Sequence, residues 1–234
     1  MITVYWSKYN LLSNKSSPMI DLSLKPLSPY QNKVIGQTES TNTNWMACPG
    51  SKNFLNNMFY IKNPFSIDLD IDNDRNVMSK TISSSQLIST REYNKDSIII
   101  DYAISLSLFS EESLSVSVMP AFFSNQPAQN SYIVPGEFNI SKWFRPINPS
   151  FMAPNKNINF KINEGDPLLY VKFNTDKQIK FKEFYFTDSL RDISTEAIGT
   201  KRYKKNIGLN SLYKDFADNK INKIILKEIK KAII

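Results

Sequence analysis

Apolar and polar positions alternate along most of this chain, the pattern of strands with two unlike faces. Residues 1–6 alternate and are rich in β-branched and aromatic side chains, which predicts a strand. The same periodicity predicts further strands at 45–48, 57–62, 65–71, 131–134, 138–143, 157–163, 167–174 and 178–186. Residues 10–44 are polar and rich in proline and asparagine, and we interpret them as an irregular excursion.

The clearest alternation lies at 97–109 and 114–118. Leu106 and Leu108 alternate with serines, and the polar residues 111–113 between the two runs indicate a turn. This pattern predicts a hairpin with apolar side chains on one face and serines on the other. Many short strands with no βαβ rhythm predict a mostly β fold without a parallel sheet. We therefore expect an antiparallel β-sandwich or jelly-roll-like domain over residues 1–187.

The periodicity changes to three and four residues after Thr187. A short helix is predicted at 189–198, followed by one amphipathic α-helix that begins at Leu209. Residues 199–234 hold ten basic and three acidic side chains, so the whole formal net charge of +7 lies there. We predict a basic helical C-terminal appendage over residues 188–234. Its apolar stripe comprises Leu212, Phe216, Ile221, Ile224, Ile225, Ile229, Ala232 and Ile233.

Such a helix is expected to dock on a protein surface, either on its own β body, on another subunit or on a protein partner. A nucleic acid or a membrane surface is the alternative. The scarcity of arginine and aromatic residues among the lysines disfavours the nucleic acid. The side chains assigned to a partner are Leu212, Phe216, Ile221, Ile225, Ile229, Lys223, Lys227 and Lys230.

The composition limits the chemistry. The chain has no histidine and one cysteine, which excludes Ser-His-Asp and Cys-His sites and imidazole metal sites. No cofactor or transition metal is expected. The single cysteine also excludes an internal disulfide, and neither a signal peptide nor a membrane-spanning run is recognisable. These features favour the reducing interior of a cell.

Two local motifs have simple structural interpretations. The acidic run at 68–74 lacks the glycine and the closing glutamate of a calcium loop, so a strand with an acidic outer face is predicted instead. Cys48 precedes a Pro-Gly turn with no cationic neighbour, and we predict a buried, unreactive thiol there.

The densest group of candidate site residues lies at 135–147 and 163–173. Trp143 and Arg145 suit a ligand platform that combines stacking with bidentate recognition of a carboxylate or phosphate. The alternative is a sandwich corner, with Trp143 in the core and Arg145 paired to Glu164 or Asp166. The candidate ligand-binding residues are Trp143, Arg145, Glu164, Asp166 and Tyr170.

These same segments carry a resemblance. The run WFRPI, followed by GDPLLYVKFNT, resembles an uncharacterised protein family of T4-like marine phages, the cyanophages, and is more distantly similar to a bacterial family of unknown function. The ACPG segment and the MITVYW start also resemble the phage proteins, and the likeness covers residues 1–186. It implies a phage-encoded protein, acting in the virion or in the infected host, and brings no catalytic residues.

A second likeness is shorter. GDPLLYVKF is similar to a strand of trimeric dUTPases and dCTP deaminases, but their catalytic Tyr-Arg-Gly segment and phosphate loop have no counterpart here. We therefore expect a non-enzymatic binding or assembly protein. The alternative is a small-ligand-binding or nucleotide-processing enzyme with a jelly-roll or dUTPase-like pocket.

Overall fold

The fold was obtained as a computed structural model, which describes residues 1–9, 24–26, 48–79, 88–103, 105–122, 131–154, 157–203 and 208–234. The strands in these ranges are β1 (Ile2–Tyr9), β2 (Leu24–Pro26), β3 (Met58–Lys62), β4 (Ile67–Ile71), β5 (Val77–Ser79), β6 (Ile88–Asn94), β7 (Ser97–Tyr102), β8 (Ser105–Ser110), β9 (Ser115–Pro120), β10 (Tyr132–Ile133), β11 (Gly136–Asn139), β12 (Ser150–Pro154), β13 (Ile158–Ile162), β14 (Pro167–Phe173) and β15 (Ile179–Glu183). The helices are α1 (Pro49–Leu55), α2 (Asp188–Tyr203), α3 (Leu209–Asp218) and α4 (Ile221–Lys231).

These strands form four sheets with the orders β15-β1-β8, β10-β12-β7-β6, β11-β9-β14-β3-β2 and β13-β4-β5. Nearly all neighbours are antiparallel, and the helices of residues 188–234 follow the last strand. The predicted fold class, mostly β with antiparallel sheets and a C-terminal helical region, is confirmed. Of the predicted excursion at 10–44, only β2 lies within the described residues, where it pairs with β3 at the edge of its sheet.

One apolar core joins the four sheets. Period-two alternation places every second side chain of each strand on the inner face, as in β4, where Ile67, Leu69 and Ile71 are buried and the aspartates between them are not. The rings of Phe151 and Phe160 meet edge to face at 5.0 Å in this core. Burial of these inner faces is the main driving force for the sandwich.

A second layer covers the outer face of the β15-β1-β8 sheet. Helices α2, α3 and α4, which we call the helical cap, pack there on Tyr5 of β1, Phe109 of β8 and Phe184, which follows β15. The phenol oxygen of Tyr213 on α3 accepts a hydrogen bond from the backbone N–H of Asn139 at 2.7 Å, and Lys230 pairs with Glu111 at 3.5 Å. The buried residues of this interface are Tyr5, Phe109, Phe144, Phe184, Leu190, Phe216, Ile225 and Ile229.

The predicted hairpin of 97–109 with 114–118 is wrong. Residues 97–109 contribute to two strands in different sheets, β7 and β8, and β8 pairs with β1 rather than with β9. Strand β9 lies between β11 and β14. The serine face of β8 is not open to water, because Ser107 is fully buried on the side that the cap covers.

A parallel pair is also present, against the expectation from the missing βαβ rhythm. Strands β1 and β15 run parallel, with Ile2 opposite Ile179. The two strands are far apart in the sequence, and the rest of the β body connects them in place of a crossover helix. The periodicity of neighbouring segments therefore gives no sign of their pairing.

The C-terminal amphipathic segment forms two helices instead of one. Helix α3 ends at Asp218, and Lys220 adopts a left-handed backbone conformation with φ of 54° before α4 begins. The side chain of Asn219 donates a hydrogen bond to the backbone oxygen of Asp215 at 2.8 Å and closes the last turn of α3. The break lets both apolar faces reach the curved surface of the β body.

Candidate functional site

The segment between β11 and β12 holds Trp143, Phe144 and Arg145 against the cap. Trp143 is 5% exposed, and its ring centroid lies 6.5 Å from that of Phe216 on α3. The ring of Phe144 stacks on Phe186 at 5.6 Å and meets Phe109 edge to face at 5.9 Å. These contacts fix the backbone on both sides of Trp143, so the position of Arg145 is set by packed aromatic neighbours.

Arg145 is half-buried, and its loss of hydration lowers the pKa of its guanidinium. Within the described parts of the chain, the ion pairs and hydrogen bonds do not include its side chain, and the expected pairing with Glu164 or Asp166 is not observed. A desolvated cation without an anionic partner is electrostatically unfavourable, and it favours the approach of an anion.

Trp143 and Arg145 share a cavity of about 250 Å³ at the junction of the β body and the cap. Its walls are mostly apolar, and Glu137 and Asn148 add polar groups. We call it the Arg145 pocket. It is lined by Val118, Val134, Gly136, Glu137, Phe138, Trp143, Arg145, Pro146, Ile147, Asn148 and Leu209.

Glu164 and Asp166 lie elsewhere, in the turn between β13 and β14. The side chain of Asn163 donates to the Asp166 carboxylate at 3.1 Å, and the Glu164 N–H donates to the Ser66 hydroxyl at 3.1 Å. Gly165 has φ of 81°, a conformation that favours glycine and makes this tight turn possible. Neither carboxylate lines the Arg145 pocket.

Tyr170 is fully buried in a third place. Its ring meets Phe122 edge to face at 5.0 Å, in a small cluster with Leu55, Met58 and Ala121. The Tyr170 cluster is separate from the Arg145 pocket, since Val118, which lines that pocket, belongs to the main core and not to this cluster. Of the five candidate residues, the structure therefore brings only Trp143 and Arg145 together.

The sequence did not identify several residues that complete this pocket. Glu137 and Phe138 come from the edge strand β11, and Leu209 comes from the first turn of α3. The nearby motif Pro135-Gly136-Glu137-Phe138 was visible, but nothing in it indicated that α3 would lie over it. Leu209 comes to lie beside β11 only because the cap docks on the β body.

The cap also contains a larger groove, which we call the cap groove, with a volume of about 480 Å³. Helices α2, α3 and α4 form it together with Trp143. Ile224 on α4 stands at this groove with 52% of its surface exposed. The groove is lined by Trp143, Ile193, Glu196, Ala197, Leu212, Asp215, Phe216, Asn219, Ile221 and Ile224.

Most of the apolar residues assigned to a partner lie inside the protein. Leu212, Phe216, Ile225 and Ile229 are buried, and Ile221 is partly buried against the same interface. Much of the stripe packs on the chain's own β body, which was one of the alternatives open from the sequence, whereas Ile224 and Ile233 stay exposed. The assigned lysines, Lys223, Lys227 and Lys230, are exposed.

Cys48 is not the buried thiol that the sequence predicts. It is exposed and caps the N-terminus of α1, with Pro49 in the first helical position. The nearby backbone N–H groups of Ser51 and Gly50 lower the pKa of the thiol. The prediction failed because a seven-residue helix with no amphipathic pattern supplies these donors.

We expect Cys48 to be alkylated in the folded protein. Iodoacetamide labelling followed by mass spectrometry across a pH series should give a rate profile whose midpoint lies below that of the urea-unfolded chain, because the helix N–H groups stabilise the thiolate. Since the chain has one cysteine, Cys48→Ser sets the background. Equal midpoints for the folded and unfolded chains would contradict the lowered pKa.

Residues 68–71 of the acidic run belong to β4 and give it an acidic outer face, as predicted, whereas residues 72–74 lie in the turn that follows. The side chain of Asn159 donates to Asp70 at 2.9 Å and to Asp68 at 3.3 Å across the β4–β13 pair. Within the described ranges, no three acidic or cysteine side chains come together in a group that could hold a metal ion. Among the helices in those ranges, none is both long and apolar enough to cross a membrane.

Comparison with known proteins gave no match to any family model, any curated protein or any solved structure.

Proposed function

We propose that this is a non-enzymatic, phage-encoded binding or assembly protein whose helical cap docks on a second copy of the same chain. The observation that carries the proposal is the cap groove, an apolar concavity with the exposed side chain of Ile224 at its edge. The buried stripe of α3 and α4 fastens the cap to the body. The outer surface of the same helices is the part available for docking.

The groove has the shape and composition of a docking surface. Ile193 and Ala197 of α2 and Ile221 and Ile224 of α4 present apolar side chains within one concavity of about 480 Å³. An isoleucine that is half exposed beside a groove of this kind gains hydrophobic free energy when a partner covers it. The chain presents both a concavity and an exposed apolar side chain at its edge.

Charge favours a second copy as the occupant. The groove carries the acidic side chains Glu196 and Asp215, whereas Lys223 and Lys227 lie on the exposed side of α4 next to Ile224. A twofold axis beside Ile224 places the basic surface of each copy against the acidic groove of the other, as an isologous contact requires. Helix α4 has no acidic residue in its first turn, so carboxylates from a second copy would also offset its macrodipole.

The other parts of the proposal have separate support. The absence of histidine removes the commonest general base, and Glu164, Asp166 and Tyr170 serve in a turn and in packing. A phage origin, with action in the virion or in the infected host, rests on the WFRPI and GDPLLYVKFNT resemblance alone.

The test is the molar mass in solution, measured by size-exclusion chromatography with light scattering over a range of concentrations. We expect a dimer that Ile224→Asp converts to a monomer, because a carboxylate would be buried in the apolar groove. The control is Met78→Asp, which makes the same kind of change at a residue of β5 with 55% exposure and should leave the dimer intact.

Since Ile224 is exposed, Ile224→Asp should also retain the circular dichroism spectrum and melting temperature expected of the folded monomer. A wild-type chain that stays monomeric at all concentrations overturns the proposal. An equal loss of dimer in Met78→Asp and Ile224→Asp overturns it as well, because the contact would then not be specific to the cap.

A further inference from the structure

We infer that the Arg145 pocket binds a monoanionic carboxylate that carries an apolar or aromatic group. The inference does not depend on self-association, since the pocket is built within one chain. It rests on the position of one cation, on the walls around it and on the charge balance of the lining residues.

The backbone that carries the cation is held in place before any ligand arrives. Trp143 and Phe144, which precede Arg145, are fixed by ring contacts to Phe216, Phe186 and Phe109, and Pro146 and Ile147, which follow, are buried. The N–H of Ile147 donates to the Leu106 oxygen at 2.8 Å, which ties the segment to β8. This segment needs no backbone rearrangement on binding, and the planar guanidinium suits a bidentate contact with a carboxylate.

The charges that line the pocket favour a monoanion over a dianion. Its lining residues contain one cation, Arg145, and one carboxylate, Glu137, which accepts a hydrogen bond from the Ser117 hydroxyl at 3.3 Å. A phosphate dianion in the pocket would have one cation, Arg145, to balance its two negative charges. It would also lie near the carboxylate of Glu137, and like charges at close range repel each other. A carboxylate brings one charge and matches the planar guanidinium.

The apolar walls of the Arg145 pocket favour a ligand that carries an apolar group. Val118, Val134, Phe138 and Leu209 line the cavity together with Trp143 and Ile147. A volume of about 250 Å³ suits a small organic acid or one acidic side chain of a peptide. The ring of Trp143 gives a surface on which a planar group packs, so an aromatic acid should bind more tightly than acetate.

The probes are phenylacetate, its neutral analogue phenylacetamide, acetate and inorganic phosphate, each added to the full-length chain. Saturation-transfer NMR identifies binding, and a titration followed by protein NMR shifts gives the Kd. We expect phenylacetate to bind with a Kd near about 1 mM or below, as a single charge-assisted contact with apolar burial allows. Phenylacetamide, acetate and phosphate should each bind at least about tenfold more weakly.

Three variants locate the site. Arg145→Gln should weaken phenylacetate binding by about tenfold or more, whereas Lys142→Gln removes the same charge from an exposed neighbour outside the pocket and should leave the Kd unchanged. Glu137→Gln removes the negative charge and should tighten binding by a few-fold. Arg145→Lys keeps the charge without the planar fork and should give an intermediate Kd.

Several results would overturn the inference. One is the absence of phenylacetate binding to the wild type up to about 10 mM, well above the expected Kd. Others are equal binding of phenylacetamide, equal or tighter binding of phosphate, or equal losses in Arg145→Gln and Lys142→Gln. If Arg145→Gln does not fold, the wild-type comparison of phenylacetate with phenylacetamide and the Arg145→Lys titration decide the question.

Discussion

Ile229→Ala is expected to lower the free energy of unfolding by about 2–5 kcal/mol, the usual cost of removing a large buried aliphatic side chain. Ile229 is fully buried in the interface between the cap and the β15-β1-β8 sheet. The end of α4 cannot move far to fill the space, because the N–H of Tyr185 donates to the Ala232 oxygen at 2.8 Å and Ile233 bridges to Phe184. The lost contacts therefore leave a cavity.

The measurement is urea unfolding followed by fluorescence and circular dichroism, with wild type and variant at one protein concentration. Lys227→Ala is the matched control, since it changes an exposed residue of the same helix and should alter stability by less than about 0.5 kcal/mol. Alanine also has a slightly higher helix propensity than lysine, so a large loss in the control would not be a helix effect. Similar values for the two variants would contradict the described docking of the cap.

Asn63→Leu is expected to cost about 3 kcal/mol or more, because one buried amide joins three parts of the β body. The Asn63 side chain donates to the backbone oxygens of Phe65 at 2.6 Å and Asn163 at 3.1 Å, and accepts from the Tyr102 hydroxyl at 3.0 Å. Leucine fills similar space but leaves those groups without their partner. Tyr102 is itself fully buried, and burial raises the pKa of its phenol well above the usual range. The phenol therefore stays protonated, and in Asn63→Leu its hydroxyl group loses its acceptor.

Thermal and urea unfolding of Asn63→Leu, Tyr102→Phe and the double variant measure this coupling. Tyr102→Phe alone should cost about 1–2 kcal/mol, and the double variant should cost less than the two single changes added together, since they share a hydrogen bond. Asn163→Ala serves as the control, because its exposed side chain contacts only the Asp166 carboxylate in the same turn. Strict additivity of the two changes would contradict the Asn63–Tyr102 bond.

Local periodicity predicted much of the secondary structure. Strands β1, β3, β4, β13, β14 and β15 fall within or near the predicted ranges, and the alternation in β4 predicted which side chains are buried. Strands β6 and β12 were missed, although β12 alternates between buried and half-buried residues. The predicted helix at 189–198 is longer, and the helix from Leu209 is divided at Lys220. Periodicity reports which side chains share a face, whereas ends and breaks depend on caps and tertiary contacts.

The candidate site was predicted less well than the fold. Trp143 and Arg145 line one pocket, because they are two residues apart on one segment, and their role in ligand binding stays a prediction. Glu164, Asp166 and Tyr170 were grouped with them on sequence proximity, yet they belong to a turn and to a separate cluster. For Cys48, the residues that lower the thiol pKa are close in sequence, but only the folded helix α1 places their N–H groups near the exposed sulfur.

By itself, the sequence determined the β class of the body, the amphipathic helical nature of residues 188–234, the location of the excess charge and the absence of imidazole chemistry. Each of these is a property of composition or of residues a few positions apart. Only the tertiary structure decided that β8 pairs with β1 and that the buried residues of the α3 and α4 stripe pack on the same chain. It alone also decided that Arg145, Glu137 and Leu209 line one pocket. The physical reason is that pairing and docking depend on contacts between segments far apart in the chain, where several partners satisfy the same alternation and only joint packing of the whole core selects one.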